Sequence, residues 1–462
     1  MSSTENRQNH LPVESRVSAS SPTQPLLELD KLPAEIPGKI FSELFLLRFH
    51  EPCTLKEERE QNYGLDKPDS GLNSENRRPK QRWRYILASK RIYTIGLASL
   101  YRHNRLLPRE FKLFMNRIKA DHTLGIYVHS LELPGSSLTV QEMREVVELM
   151  PNLEHFQVSL KSENDWVFDL TGLDRLRSLR CQWVGWSSSL NEQIDSQVLL
   201  PETISTFVMS SGSKAFSQET LRDHISQLPR LEHFQLKLDQ GDISVDFLER
   251  LPPTTKISTF CLTKRRNNII LVNSLTNILS KNQSLCTSLV ILNIGGIFNS
   301  RGNLDEVSQL LVKLPETVRY LDISGTYLTK AHVADLQRIC RQVQEIRLGS
   351  PMKSLYGRQN PARYDDMLRM EDVEEIILGS TDALIEPSTV LELDISSLYF
   401  PEQKNLYISK LVNGTLTQLR TITVNKGAFG REILTWASET GKWKVTEGWL
   451  NKLWIERLPE RS

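Results

Sequence analysis

No run of 18 or more apolar residues occurs anywhere in the 462 residues, so the sequence offers no helix long enough to cross a bilayer. The first two dozen residues also lack the charged-then-apolar layout of a secretory signal and stay polar to about Gln24. An excess of one charge is missing too. Fifty-seven basic residues face 56 acidic ones, a net charge of +1, so neither a nucleic acid nor a membrane surface is expected as partner. Cysteine is sparse: Cys53, Cys181, Cys261, Cys286 and Cys340 are odd in number and dispersed, with no C-x-x-C spacing. That pattern predicts structural thiols, no metal site and a reducing compartment, cytoplasmic and/or nuclear. The motifs of catalysis are also wanting: there is no glycine-rich phosphate loop, no G-x-S-x-G and no H-E-x-x-H. Gly295-Gly296 follows a strand-like segment without the lysine of a phosphate loop and is expected to form a turn. The chain is therefore read as a non-catalytic binding protein without a cofactor.

What is present is a repeat. The template apolar-x-x-apolar-x-apolar occurs at Val128/Leu131/Leu133, Leu153/Phe156/Val158, Leu176/Leu179/Cys181, Ile204/Phe207/Met209, Leu231/Phe234/Leu236 and Ile257/Phe260/Leu262. It continues at Leu289/Leu292/Ile294, Val318/Leu321/Ile323, Val343/Ile346/Leu348, Val373/Ile376/Leu378, Val390/Leu393/Ile395 and Leu419/Ile422/Val424. The middle residues run from 131 to 422, which spaces the units about 26 residues apart, inside the range of leucine-rich repeats. Leu-Glu-His-Phe-Gln appears twice, at 153–157 and 231–235. The last two apolar positions of each unit share one side of a short strand. Each unit exposes apolar surface, so units must stack. The expected fold is α/β: a curved solenoid with parallel strands on the concave wall. Helical outer segments are expected at 139–150, 217–228, 305–314 and 330–340.

The flanks differ. Residues 1–28 are polar and predicted to be a disordered tail. Residues 29–107 read as a helical domain with a charged, Pro/Gly/Asn-rich insertion at 50–82, and residues 108–427 hold the solenoid. Residues 428–462 carry Trp436, Trp443, Trp449 and Trp454, and are expected to cap the last repeat with a helix at 431–439 and a hairpin at 442–455.

Leu32-Pro33-Ala34-Glu35-Ile36, then Ile40-Phe41 and Leu44, resembles the opening of an F-box, and 87–103, ending Leu100-Tyr101-Arg102-His103, is similar to its closing half. The layout over residues 29–434 is similar to fungal F-box/leucine-rich-repeat proteins, although the 50–82 insertion separates the two halves by more than is usual in that family. The resemblance implies a substrate receptor of a cullin-based (SCF-type) ubiquitin ligase. Leu32, Pro33, Ile36, Ile40, Phe41 and Leu44 would dock a Skp-type adaptor and through it the cullin scaffold. The repeats would select a protein substrate. A repeat scaffold or regulator acting outside a ligase, such as a GTPase activator, is the alternative.

Side chains between the paired apolar positions point away from the core. Along the array they read Glu132, Gln157, Arg180, Val208, Gln235, Cys261, Asn293, Asp322, Arg347, Ile377, Asp394 and Thr423, a mixed polar row suited to a protein surface. Gln157, Arg180, Trp183, Gln235, Asp322 and Arg347 are the candidate substrate contacts, with Trp186 beside Trp183. His155 and His233 occupy matched positions on the same face. Residues 350–372, where Lys and Arg alternate with Tyr356 and Tyr364, interrupt the rhythm as a longer connection.

Overall fold

The structure is a computed structural model that describes residues 98, 101–161, 167–184, 197–211, 223–238, 248–249, 251–264, 272–295, 304–326, 328–349, 368, 370–378, 388–397, 419–425, 435, 439, 441–447 and 452–458. The expected F-box residues, the insertion at 50–82, Trp186, residues 350–367, Trp436 and Trp449 lie outside them.

One large open sheet organises the chain. Its first strands are β1 (His103–Arg105), β2 (Ser130–Leu138) and β3 (His155–Lys161). After a short strand β4 (Val167–Asp169) come β5 (Ser178–Val184), a second short strand β6 (Gln197–Leu199) and β7 (Thr206–Ser211). Then follow β8 (His233–Leu238), β9 (Thr259–Lys264), β10 (Ile291–Asn293), β11 (Tyr320–Asp322) and β12 (Glu345–Gly349). The last are β13 (Glu392–Ser397), β14 (Thr421–Asn425), β15 (Trp443–Glu447) and β16 (Lys452–Arg457). The sheet order is β1-β2-β3-β5-β7-β8-β9-β10-β11-β12-β13-β14-β16-β15, and β4 pairs with β6 in a separate parallel ribbon.

Every neighbouring pair from β1 to β14 is parallel, and the repeat template sets the register. Leu131, Phe156, Leu179, Phe207, Phe234 and Phe260 stand opposite one another in turn. Leu292, Leu321, Ile346, Leu393 and Ile422 continue the line. β1 adds Asn104 in front of Leu131, so the ladder starts before the expected boundary at 108. β16 runs antiparallel to β14, and β15 antiparallel to β16, so a hairpin continues the sheet past its last parallel strand.

One expected unit is not a strand. Val373, Ile376 and Leu378 fall in a helix, Met370–Leu378, and β12 pairs directly with β13. Apolar-x-x-apolar is also a helical interval, and Ile377 completes an i, i+3, i+4 stripe with Val373 and Ile376. Glu371 and Asp372 sit in the first turn, where acidic side chains favour a helix N-terminus. All three stripe residues are buried, so Ile377 belongs to the core rather than to the outward row.

The core lies between the inward strand residues and the segments that connect them. The rings of Phe207 and Phe234 are 6.2 Å apart and those of Phe234 and Phe260 5.8 Å. The connecting layer contains α1 (Pro108–Ala120), α2 (Val140–Leu149), α3 (Val272–Lys281), α4 (Gln283–Ser288), α5 (Leu304–Lys313), α6 (Val333–Cys340) and the helix above, α7. Three of the outer helices expected from the sequence are among these; of the fourth, at 217–228, only residues 223–228 are described. Among the described residues no helix is long and apolar enough to cross a membrane.

Two local devices support the array, one between repeats and one within a helix. The residue just before the first template position often donates to a main-chain carbonyl in the preceding unit. Thr203 Oγ1 donates to Leu176 O at 2.8 Å, Ser288 Oγ to Ile257 O at 2.8 Å, Thr317 Oγ1 to Leu289 O at 2.6 Å and Thr389 Oγ1 to Val343 O at 2.8 Å. Asn152 and Gln342 do the same with amides, to Ile126 O and Pro315 O. These carbonyls would otherwise be stranded between units. The second device is a capping box on α2. Thr139 Oγ1 accepts the Glu142 N–H at 3.2 Å, and Glu142 Oε2 accepts the Thr139 N–H at 2.9 Å. Thr139→Ala is expected to lower the unfolding free energy by about 1 kcal/mol, read as a lower urea midpoint with unchanged slope.

Candidate recognition face

The parallel ladder brings the outward residues into rows. In the row expected from sequence, Glu132, Gln157, Arg180, Val208, Gln235 and Cys261 are consecutive Cα partners, and Asn293, Asp322, Arg347, Asp394 and Thr423 extend it. Arg105 on β1 stands in front of Glu132. A second row one step earlier holds His103, Ser130, His155, Ser178, Thr206, His233 and Thr259, and goes on to Ile291, Tyr320, Glu345, Glu392 and Thr421. His155 and His233 therefore share a face, three strands apart. Trp183 pairs with Leu160 and Ser211 at a register position of the opposite parity, in line with Leu179 and Cys181 rather than with Arg180.

The row is less open than its polarity suggests. Side chains about 4.8 Å apart along a ladder cover one another. Val208, Gln235, Cys261, Asn293, Asp322, Asp394 and Thr423 are buried, whereas Gln157, Arg180 and Arg347 are half-buried. Burial pushes the Cys181 and Cys340 thiols up to about 12, which makes them poor nucleophiles.

Towards the C-terminal end the outward charges close on each other. Arg347 Nη1 lies 3.2 Å from Asp322 Oδ2, and Arg347 Nε lies 3.0 Å from Asp394 Oδ2 as an ion pair. Lys452 Nζ reaches back from the hairpin to Asp394 Oδ2 at 3.1 Å. The other carboxylate oxygens tie the strand exits: Asp322 Oδ1 accepts the Ser324 N–H at 2.9 Å, and Asp394 Oδ1 accepts the Ser396 N–H at 2.8 Å. Burial pushes the Asp394 carboxyl up, but the Arg347 and Lys452 charges and the Ser396 bonds together hold it below its ordinary value. Burial raises the neighbouring Tyr320 phenol well above its usual range. Asp322 and Arg347, two of the expected substrate contacts, thus hold each other and Asp394, and serve the scaffold first. Gly295 is indeed in a turn; a Cβ there would stand 2.8 Å from both Asp322 Oδ1 and Ser324 Oγ.

The N-terminal end has a different composition. Arg105 Nε is 3.7 Å from Glu132 Oε2, with the arginine side chain 57% exposed. Arg180 Nη1 donates to Gln157 Oε1 at 3.4 Å. Burial raises the Glu132 carboxyl, and the Arg105 and Arg180 charges oppose that rise. One residue before the second row, at the leading edge of the strands, Arg102, His129, Glu154 and Arg177 follow one another through main-chain bonds. His129 Nδ1 lies 2.9 Å from Glu154 Oε1. Burial, then the charges of Arg102, His155 and His129, lower the His103 imidazole to about 4, and burial lowers His155 as well. In the middle of the face His233 Nδ1 is 2.9 Å from Thr259 Oγ1, and Lys237 follows Gln235 at the next outward position of β8.

The sequence reading missed the leading edge, although counting two residues back from each middle template position finds it. It also missed Lys452, which no local pattern connects to Asp394. Among the described residues no group of three or more His, Cys, Asp or Glu side chains is arranged to hold a metal ion.

No family model matches the chain, and no curated protein matches it in sequence. Among solved structures it is similar to the leucine-rich repeat-containing protein LegL7 from Legionella pneumophila. The identity is 15%, over 70% of this chain and 82% of that one, with a TM-score of 0.33. It is also similar to the Rad7 and Elc1 complex in yeast, at 12% identity over 80% of this chain and 93% of that chain, again with a TM-score of 0.33.

Proposed function

We propose that this chain is the non-catalytic substrate-recognition subunit of a cullin-based ubiquitin ligase in the cytoplasm or nucleus. Leu32, Pro33, Ile36, Ile40, Phe41 and Leu44 dock a Skp-type adaptor. The polar face of the ladder binds a protein substrate, and the ligase acts on it by proximity. The C-terminal hairpin caps the array. The observation that most supports this reading is the parallel ladder of twelve strands, whose template positions stay in line from β1 to β14 and present one long polar face. The adaptor half of the proposal rests on the resemblance of residues 32–44 and 87–103 to the two halves of an F-box.

The test is co-purification of the full chain with a Skp-type adaptor. Wild type is expected to capture the adaptor in equal amounts. Ile40→Asp or Phe41→Asp is expected to weaken capture by about tenfold or more, because each buries a charge in an apolar contact. A wild-type chain that captures no adaptor overturns the ligase reading and leaves a repeat scaffold acting elsewhere.

A further inference from the structure

We infer that the cluster of His103, His129 and His155 makes the head of the ladder acid-sensitive: protonation of its imidazoles releases β1 from β2, while the strands next to the C-terminal hairpin stay closed. The release acts on the scaffold and is independent of whether residues 32–44 dock an adaptor.

The ladder gathers the three side chains from three strands. His103 on β1, Ser130 on β2 and His155 on β3 are consecutive Cα partners, so the two histidines stand two inter-strand steps apart, about 10 Å, in one outward row. His129 precedes Ser130 at the head of β2, and its Nδ1 lies 2.9 Å from Glu154 Oε1. The charged and titratable groups around His103 are Arg102 on its own strand, His129 at the head of β2, and Glu154 and His155 at the start of β3. Those around His155 are Glu154, Arg177 at the head of β5, and His129. Glu154 is the carboxylate common to both, and it already holds His129. Arg102 and Arg177 oppose any added positive charge. His103 Nδ1 is buried with no hydrogen-bond partner, so a proton placed there gains no bond in the folded chain.

A proton is therefore bound more readily with β1 released than with β1 closed. The His103 imidazole stands at about 4 in the folded chain, lowered first by burial and then by the charges of Arg102, His155 and His129, against about 6.5 in an open chain. Burial lowers His155 as well. The open form binds the extra proton between those values. Closure of β1 is thus complete above about pH 6.5 and is lost as pH falls toward about 4. The strand is also lightly held. It is first in the sheet order and has three register pairs, all with β2, whereas β3 pairs on both sides. The bonds from the His129 N–H to Arg102 O and from the Leu106 N–H to Glu132 O close its two ends. Short edge elements of this kind open at low cost without global unfolding. The other end of the ladder differs. Asp394 is held by Arg347 and Lys452 below its ordinary carboxylate value, so that end stays closed while the imidazoles take up protons.

Hydrogen exchange followed by mass spectrometry on the full chain at pH 7, 6 and 5, corrected for the pH dependence of chemical exchange, tests the release. Peptides spanning 101–106 and 128–133 carry the amides that close β1 on β2. Their protection is expected to fall about tenfold from pH 6 to pH 5, the increment for one proton taken up on opening. Peptides spanning 390–397 and 419–425 are expected to keep theirs. His103→Gln is polar and does not titrate, and is expected to lose most of that slope whatever its protection at pH 7. Arg102→Gln removes an exposed like charge and is expected to show a shallower fall. Protection at 101–106 and 128–133 that holds at pH 5, or falls equally at both ends of the ladder, overturns the inference. So does a wild-type slope in His103→Gln or, should that chain not fold, in Arg102→Gln. Both variants keep residues 32–44, so adaptor capture at pH 7 reads the ligase proposal separately.

Discussion

Arg347→Met is expected to lower the unfolding free energy by about 3–5 kcal/mol, the range for removing one partner of a buried charge network. Arg347 is the cation shared by Asp322 and Asp394, whose side chains are 3% and 0% exposed. Without it Asp394 keeps Lys452 and the Ser396 bonds, and Asp322 keeps its bonds to Ser324. Neither set replaces a guanidinium between two carboxylates. The effect depends on pH in a defined direction. The Asp394 carboxyl is held below its ordinary value in the folded chain, so it adds stability above the unfolded pKa of about 4 and loses it as pH falls through the folded value. In Arg347→Met the opposing effect of burial gains weight, the folded value rises, and the acid loss moves to higher pH. Adding Asp394→Asn to Arg347→Met is expected to recover part of the stability and to flatten that pH dependence, because the amide still accepts the Ser396 N–H without a charge to bury. Urea unfolding of the four chains between pH 4 and 8 measures this. A single-variant loss under about 1 kcal/mol, with no shift of the acid limb, would show the network to be dispensable.

The same network shows how far the fold and the face could be read from sequence. Leu131, Phe156, Phe234 and the other middle residues were found because burial on a strand repeats with a fixed period, and the register follows from them. The unit at Val373–Leu378 was misread because the template shares its first interval with a helix, and only pairing of β12 with β13 distinguishes the two. The outward row was placed correctly from Glu132 to Thr423 apart from Ile377, but its burial was not legible. Whether Asp394 meets solvent depends on Arg347, one parallel strand away, and on Lys452, which arrives from a hairpin antiparallel to the ladder. Arg180 and Arg347 look equivalent in the template. One donates to the neutral amide of Gln157 and the other is enclosed by aspartates, a difference set by strand neighbours and not by the residue itself. The candidate adaptor contacts Leu32–Leu44 rest on the two-part sequence resemblance, of which only the end of the closing half lies among the described residues.

Gly125→Ala is expected to be as damaging as the loss of Arg347, about 3 kcal/mol, by a wholly steric route. Gly125 is buried in the 3-10 turn His122–Tyr127 that leads from α1 to β2. A Cβ there would stand 1.9 Å from the carbonyl oxygen of Leu149, 3.0 Å from its carbon and 3.3 Å from Ile118 Cγ2. The first two atoms are main chain at the end of α2, so no rotamer change relieves the overlap. Neither side yields easily. The Gly125 carbonyl accepts the Val128 N–H at 3.1 Å, Asn152 Nδ2 holds Ile126 O at 2.8 Å, and the Met150 N–H closes the last turn of α2 on Val146 O at 3.0 Å. The substitution must therefore part the turn from α2 and open the stacking of the first two repeats. Two other glycines calibrate the claim. At Gly295 the nearest atoms are the side-chain oxygens of Asp322 and Ser324, which can shift at the expense of their turn. At Gly441 the backbone has φ +63° and nothing lies within 4 Å of the new Cβ, so only the left-handed strain of about 1 kcal/mol remains. Thermal unfolding followed by circular dichroism should rank the alanine variants Gly125 below Gly295 and Gly295 below Gly441 in melting temperature. A Gly125→Ala chain that melts with or above Gly441→Ala would mean that the turn and α2 are not held against each other.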